Sequence, residues 1–335
     1  MVKILEVENL VTGYKGKDGV LKAVDGVSFD INRGETVCIV GESGSGKSVA
    51  SMSIMRLVEF ENGIILDGSI KFNNEELRTK SNDEMRKIRG SKISMIFQEP
   101  LTALNPVFTI GKQIAEAIRF HHKVSNKDAM ERAEELIRLV GISEPKTRLE
   151  QYPHELSGGM RQRVMIAIAL ASEPELLIAD EPTTALDVTI EAQILELLRQ
   201  IRQDRNMSIM LITHDIGVAA EMSNRIIIMY AGKIMEIGNT IDIFNQPYHP
   251  YTKGLLESVP KMDGKRGVPL QSIQGSIPSI NEIPAGCRFS PRCPYATEKC
   301  FQEQPLLEFK NNRQVACWHV DLLIKNKGGE FIESY

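Results

Sequence analysis

The chain has 335 residues, 42% hydrophobic and 25% charged, with a formal net charge of −4 at pH 7. That balance suits a chain of two domains able to bury a large core, and it excludes a disordered or fibrous protein. The evenly mixed signs leave no electrostatic footprint for nucleic acid.

The opening residues, MVKILEVENL, enter an alternating strand and lack the apolar core and cleavage site of a secretion signal, which predicts a cytosolic protein. No run reaches the roughly 18 apolar residues of a membrane helix, so other subunits must span any membrane involved. Residues 2–40 read as short strands with turns at Gly13, Gly16 to Gly19 and Asn32 to Gly34. Tyr14 reads either as a packing tyrosine or as a π-face for a base. In TVCIVGESGSGKS, residues 36–48, a β-branched run stops at Gly41 and a glycine-rich loop opens a helix at Lys47-Ser48. Glycines at such a turn let backbone N–H groups close around phosphates; Lys47 adds a point charge and Ser48 a hydroxyl for Mg²⁺. Cys38, inside that strand, reads as a small core residue.

Strands GSIKF and SKISMIF bracket a helix around Asn82 to Arg89, and the second ends on Gln98, a residue type that is ordinarily solvated at such a place. Periodic apolar positions predict helices through 109–140, stopped by Gly141, so an all-helical insert interrupts the sheet pattern. In ELSGGMRQRVMIAIALA, Ser157, Gly158 and Gly159 read either as an ordinary N-cap or as a second anion site at a positive helix end. LLIADEP predicts a strand buried on both faces whose carboxyl end carries Asp180 and Glu181. Asp180 suits Mg²⁺ held through its water shell, and Glu181 suits the orientation or deprotonation of a water. Asp187 precedes a long amphipathic helix, and the strand SIMLIT delivers His214 to the same sheet edge, within plausible reach of a γ-phosphate. RIIIMY and GKIMEIG close the pattern near residue 244.

Tyr14, GESGSGKS, Gln98, LSGGM, LLIADE, ALD at 185–187 and His214, in that order, resemble the nucleotide-binding subunit of an ATP-binding cassette transporter over residues 1–245. The resemblance implies an α/β P-loop fold with a parallel-sheet core, an N-terminal antiparallel β region and a helical signature subdomain at about 99–172. It implies that Tyr14 stacks on adenine, and that Gly41, Ser43, Gly44, Ser45, Gly46, Lys47 and Ser48 cradle the phosphates of ATP. Ser48, Gln98 and Asp180 would position Mg²⁺, Glu181 would be the catalytic base, and His214 would contact the γ-phosphate. Ser157, Gly158 and Gly159 would complete the site of an opposite subunit, with Asp187 in the D-loop between them. Met160 departs from the family's usual glutamine.

Residues 246–335 resemble the tail of dipeptide and oligopeptide permease ATP-binding subunits, a branch that includes nickel importers, and imply a small, loop-rich, Cys-rich C-terminal domain. Cys287, Cys293, Cys300 and Cys317 are separated by five, six and sixteen residues. A cytosolic compartment argues against disulfides, and this open spacing leans away from zinc toward a 4Fe-4S cluster that folds the tail, with unligated thiols also open. The tail is expected to lie far from the 41–48 loop. The family implies a peptide-importing motor on the cytoplasmic face of the membrane. Its partners would be a second nucleotide-binding subunit, expected to be a paralogue, two membrane-spanning permease subunits and an external solute-binding protein. The rivals are a soluble cassette ATPase acting on ribosomes or DNA, disfavoured by a single cassette without sustained heptads, and an iron-sulfur redox sensor.

Overall fold

TVCIV, LLIAD and SIMLIT, the continuous apolar runs, form strands in which every residue is buried. Such strands need cover on both faces, which is why they do not alternate in polarity. The computed structural model describes residues 2–16, 19–99, 103–184, 186–258, 273–279 and 282–325; Ala185 of the ALD motif lies outside them. In chain order the strands are β1 (Lys3–Gly16), β2 (Gly19–Asn32), β3 (Thr36–Val40), β4 (Gly63–Phe72), β5 (Glu75–Glu76), β6 (Ile93–Ile96), β7 (Leu176–Asp180), β8 (Ser208–Thr213), β9 (Arg225–Tyr230), β10 (Lys233–Asn239), β11 (Glu308–Lys310) and β12 (Arg313–Val315). The chain divides into two compact units, one of residues 1–6, 30–36 and 70–212, the other of 7–29, 37–69 and 213–335.

In the first unit β6, β7 and β8 run parallel, with Ile96 opposite Ala179 and Asp180 opposite Ile212. That register brings Gln98, two residues past β6, and the Asp180-Glu181 pair to one carboxyl edge, where parallel sheets place ligand-handling groups. The expected helical insert is present. Helix Ile110–His121 buries Ile110, Ile114 and Ile118, helix Asn126–Leu139 buries Ala129, Ala133, Leu136 and Ile137, and the two pack together and against helix Gly158–Ala169. Each buried isoleucine contributes about 1.5–3 kcal/mol to that packing. The second insert helix starts at Ser125 because a capping box forms there: Ser125 Oγ accepts from the Asp128 N–H while the Asp128 carboxylate accepts from Ser125.

In the second unit the strand order is β11-β12-β10-β9-β3. β3 and β9 are parallel, whereas β9, β10, β12 and β11 form an antiparallel run. The tail therefore builds onto the strand layer that ends in the phosphate loop. The three-residue strand β12 had no visible signal in the sequence. It is recruited by partners that come from elsewhere: the Ala316 N–H donates to Met235 O at 2.9 Å, and Arg313 pairs with Glu236 at 3.3 Å inside the core. The tail is not remote from the 41–48 loop, contrary to the expectation from sequence.

Candidate functional site

The phosphate loop is shaped by three glycines with different constraints. A Cβ on Gly41 would lie 2.2 Å from Met229 O, and one on Gly46, at φ +96°, would lie 2.6 Å from Ala23 O. Gly44 sits at φ +81° with open space around it, so its backbone faces outward unobstructed. Lys47 opens helix Lys47–Ile54 and is almost wholly enclosed; its Nζ donates to Gly41 O at 2.8 Å and to Glu42 O at 3.0 Å. Ser45 Oγ is buried without a hydrogen-bond partner among the described residues. A concave backbone, an enclosed ammonium, an orphaned hydroxyl and a helix N-terminus together fit a phosphate chain, as ATP requires. In the adjoining strand, burial pushes the Cys38 thiol strongly up, so it is an inert core residue.

Tyr14 lies in the same unit, half-buried, and its phenol is pushed up by burial and by the Glu61 carboxylate. Gly63 makes room for the ring, because a Cβ there would come 3.1 Å from Tyr14 Cε1. His214 is exposed one residue beyond β8. The next residue, Asp215, caps helix Ile216–Met222 by accepting from the Gly217 N–H at 2.6 Å and the Val218 N–H at 3.3 Å, which fixes the path of the chain past the histidine.

The first unit carries the acidic pair. Asp180 is buried at the end of β7, and Glu181 follows with φ +46°, a left-handed conformation that costs a non-glycine residue about 1–2 kcal/mol. Its N–H donates to Ile212 O at 2.9 Å, while its Oε2 accepts from Gln98 Nε2 at 3.1 Å and from Thr184 Oγ1 at 3.0 Å. The backbone bond to Ile212 O fixes this left-handed turn, and the two side-chain bonds fix the carboxylate. Thr184 was missed in the sequence, although its place three residues after Glu181 is a turn position that could have suggested it. Ser157 is exposed and caps helix Gly158–Ala169, its Oγ accepting from the Met160 N–H at 3.3 Å. Asp187 likewise caps helix Val188–Arg205 through the Ile190 N–H at 2.9 Å. A Cβ on Gly159 would lie 2.8 Å from Ile190 Cγ2, so packing against that isoleucine favours a glycine there. The structure thus brings Gln98, Glu181 and Thr184 together in one unit, and places Tyr14, the phosphate loop and His214 in the other.

Sequence reasoning also missed the tail residues that meet the phosphate loop. Arg292 Nη1 bonds both carboxylate oxygens of Glu42, at 2.9 and 3.1 Å, and the Glu42 N–H donates to Tyr251 Oη at 3.0 Å. Arg288 bonds Ala231 O and the Asp25 carboxylate, which Lys233 also meets at 3.2 Å. Despite its own burial, Asp25 is held below the usual carboxylate range by Lys233 and Arg288. The only available signal was that both arginines interleave with the cysteines in CRFSPRC.

The expected metal centre is not seen as such. Among the described residues no group of three or more His, Cys, Asp or Glu side chains is arranged to hold a metal ion, and all the cysteines are free. That leaves the zinc alternative and the 4Fe-4S cluster alike without a formed binding group. The four tail thiols nevertheless share one neighbourhood, with Cys287 and Cys300 buried and Cys293 and Cys317 half-buried. Burial pushes Cys293 and Cys317 up to about 12; Cys287 and Cys300 raise both further, and Cys317 also raises Cys293. Cys300 Sγ is 3.5 Å from His319 Nε2, and the His319 N–H points at Cys317 Sγ from 3.4 Å.

Comparison with known proteins accounts for both parts of this arrangement. Residues 24–184 match the family model described as ABC transporter, and residues 235–300 match that of the oligopeptide/dipeptide transporter C-terminal region. An oligopeptide transport ATP-binding protein, AppD of Bacillus subtilis, is 52% identical over 98% of this chain and 99% of its own. The dipeptide transport ATP-binding protein DppD of Bacillus subtilis is 51% identical over 96% of each chain. A solved post-hydrolysis dimer of the ATP-binding cassette MJ0796 bound to ADP and Pi covers 70% of this chain and 98% of its own, with 31% identity and a TM-score of 0.64. The chain belongs to the ABC transporter family of ATP-hydrolysing cassette proteins, in the branch that carries the oligopeptide/dipeptide transporter C-terminal region.

Proposed function

We propose that this chain is the ATP-driven motor of a membrane importer for dipeptides or oligopeptides, acting at the cytoplasmic face of the membrane as a peripheral subunit. The observation that carries the reading is the pairing of a preformed phosphate cradle at 41–48 with a C-terminal region of the peptide-transporter type. Among the described residues no helix is long and apolar enough to cross a membrane, so permease subunits would carry the solute path. In this reading Gly41, Ser43, Gly44, Ser45, Gly46 and Lys47 hold the phosphates of ATP, and Tyr14 stacks on its adenine. Ser48, Gln98 and Asp180 would hold Mg²⁺, which would supply charge neutralisation at the phosphates. Glu181 orients and deprotonates the attacking water, and His214 hydrogen-bonds the γ-phosphate. Exposed Ser157, with Gly158 and Gly159, closes the site of a second nucleotide-binding subunit, a paralogue, with Asp187 beside it. An external solute-binding protein delivers the cargo, and the cassette ends near residue 245.

A 4Fe-4S cluster on Cys287, Cys293, Cys300 and Cys317 belongs to the same proposal. Support comes from their shared neighbourhood and from the His319 N–H donated to Cys317 Sγ. Cys287, Cys293, Cys300 and Cys317 would hold the cluster, which would supply cross-links that fold the tail. Purification from membranes with the permease partners, followed by peptide uptake into vesicles loaded with ATP, tests the transport reading. Uptake of nickel but not peptides would overturn the solute class. Ribosomes or DNA co-purifying in place of permeases would overturn the motor itself. About four irons and four sulfides per anaerobically purified chain support the cluster, and colourless protein excludes it.

A further inference from the structure

Glu42 is an awkward residue in a phosphate cradle, since its carboxylate would repel the anion that the loop must bind. The structure restrains it twice, from the same compact unit. Tyr251 Oη, on a fully buried ring in helix Pro250–Glu257, accepts the Glu42 N–H at 3.0 Å. Arg292, whose side chain is only 6% exposed, covers both Glu42 oxygens. Arg292 Nε donates to Gln274 O at 2.8 Å and Nη2 to Gly275 O at 3.1 Å and Ile273 O at 3.3 Å, while Nη1 also lies 3.4 Å from Tyr230 Oη, so the guanidinium is aimed before any nucleotide arrives. Arg288 holds the turn at Ala231, and the adjacent Gly232 N–H donates to Ser45 O at 2.8 Å within the loop.

We propose that Tyr251 and Arg292 are positioning residues for ATP. They draw Glu42 toward the tail and neutralise it, so that the cysteine-bearing segment 287–293 sets the affinity of the phosphate loop. The proposal rests on the ATP reading of that loop. Neither residue needs to touch the nucleotide. The charge that Arg292 supplies matters more than the packing of its stem, because removing it leaves an uncompensated carboxylate beside the incoming phosphates.

The test titrates the full-length chain with MgATP by calorimetry and measures kcat and KM in the assembled transporter. Tyr251→Phe keeps the ring and removes one hydrogen bond; it should weaken ATP binding about threefold to tenfold. Arg292→Gln should weaken it about tenfold to a hundredfold, with the change in KM rather than kcat, and Arg292→Lys should restore part of it. In the double variant Glu42→Gln, Arg292→Gln affinity should recover toward the parent, since the repelling charge is gone; a role confined to folding would not give that rescue. Parent-like affinity in both Tyr251→Phe and Arg292→Gln overturns the proposal, as does a loss the double variant fails to relieve. If Arg292→Gln fails to fold, Tyr251→Phe decides alone. Lys47→Ala is the control for the loop: affinity unchanged in that variant would sink the ATP reading itself, whichever way the tail variants behave.

Discussion

Replacing Glu181 with glutamine should separate nucleotide binding from turnover. The hydrogen bonds from Gln98 and Thr184 to the Glu181 side chain end on one oxygen, Oε2, so a glutamine carbonyl oxygen in that place satisfies both. The backbone bond to Ile212 O and the left-handed φ do not depend on the side-chain charge. Because those bonds survive the isosteric change, the folding cost should stay below the roughly 1 kcal/mol typical of point substitutions. What disappears is the group able to take a proton from water, a contribution of about 10²- to 10⁴-fold, or roughly 3–5 kcal/mol of barrier. The variant should bind MgATP like the parent and accumulate as a nucleotide-bound dimer on gel filtration, while phosphate release by the assembled transporter falls at least a hundredfold. Turnover within tenfold of the parent, with the dimer failing to accumulate, would remove Glu181 from this role and leave its strained backbone without an explanation.

Gly46→Ala should abolish ATP binding in calorimetry while the chain stays folded, because the added methyl would approach Ala23 O to 2.6 Å in a left-handed conformation; normal affinity would refute the cradle geometry. Arg313→Met should destabilise the tail by about 3–5 kcal/mol in denaturant unfolding, since it leaves Glu236 unpaired at 0% exposure. Burial already raises the Glu236 pKa, and protonation removes the need for a partner, so the variant should regain stability as pH falls. A loss insensitive to pH would refute the charge argument. His249 is buried, its Nδ1 accepts from the Tyr251 N–H at 3.0 Å, and burial lowers its pKa to about 3. The unfolded chain binds that proton near the ordinary value of 6.5. Stability from the neutral ring is thus complete above pH 6.5 and lost as pH falls toward 3, about 2 kcal/mol of it by pH 5. His249→Asn, which still offers an acceptor, should flatten that part of the stability profile; an unchanged slope would place the acid sensitivity elsewhere.

Sequence by itself determined the parts that rest on local rules. TVCIV followed by GESGSGKS had to be a buried strand entering a phosphate-sized turn, because β-branched runs, left-handed glycines and a helix-opening lysine each admit few conformations. The capped helices and the acids at the end of LLIAD were legible for the same reason. Tertiary structure alone decided what acts on those parts from far along the chain. Arg292 and Tyr251 reach Glu42 across more than 200 residues of sequence. β12, three residues long, becomes a strand only because β10 offers it an edge and Glu236 offers its arginine a buried counter-charge. Propensity and periodicity report on neighbours a few positions apart, whereas ion pairs and sheet edges depend on which distant segments meet, and that is fixed only when the chain packs.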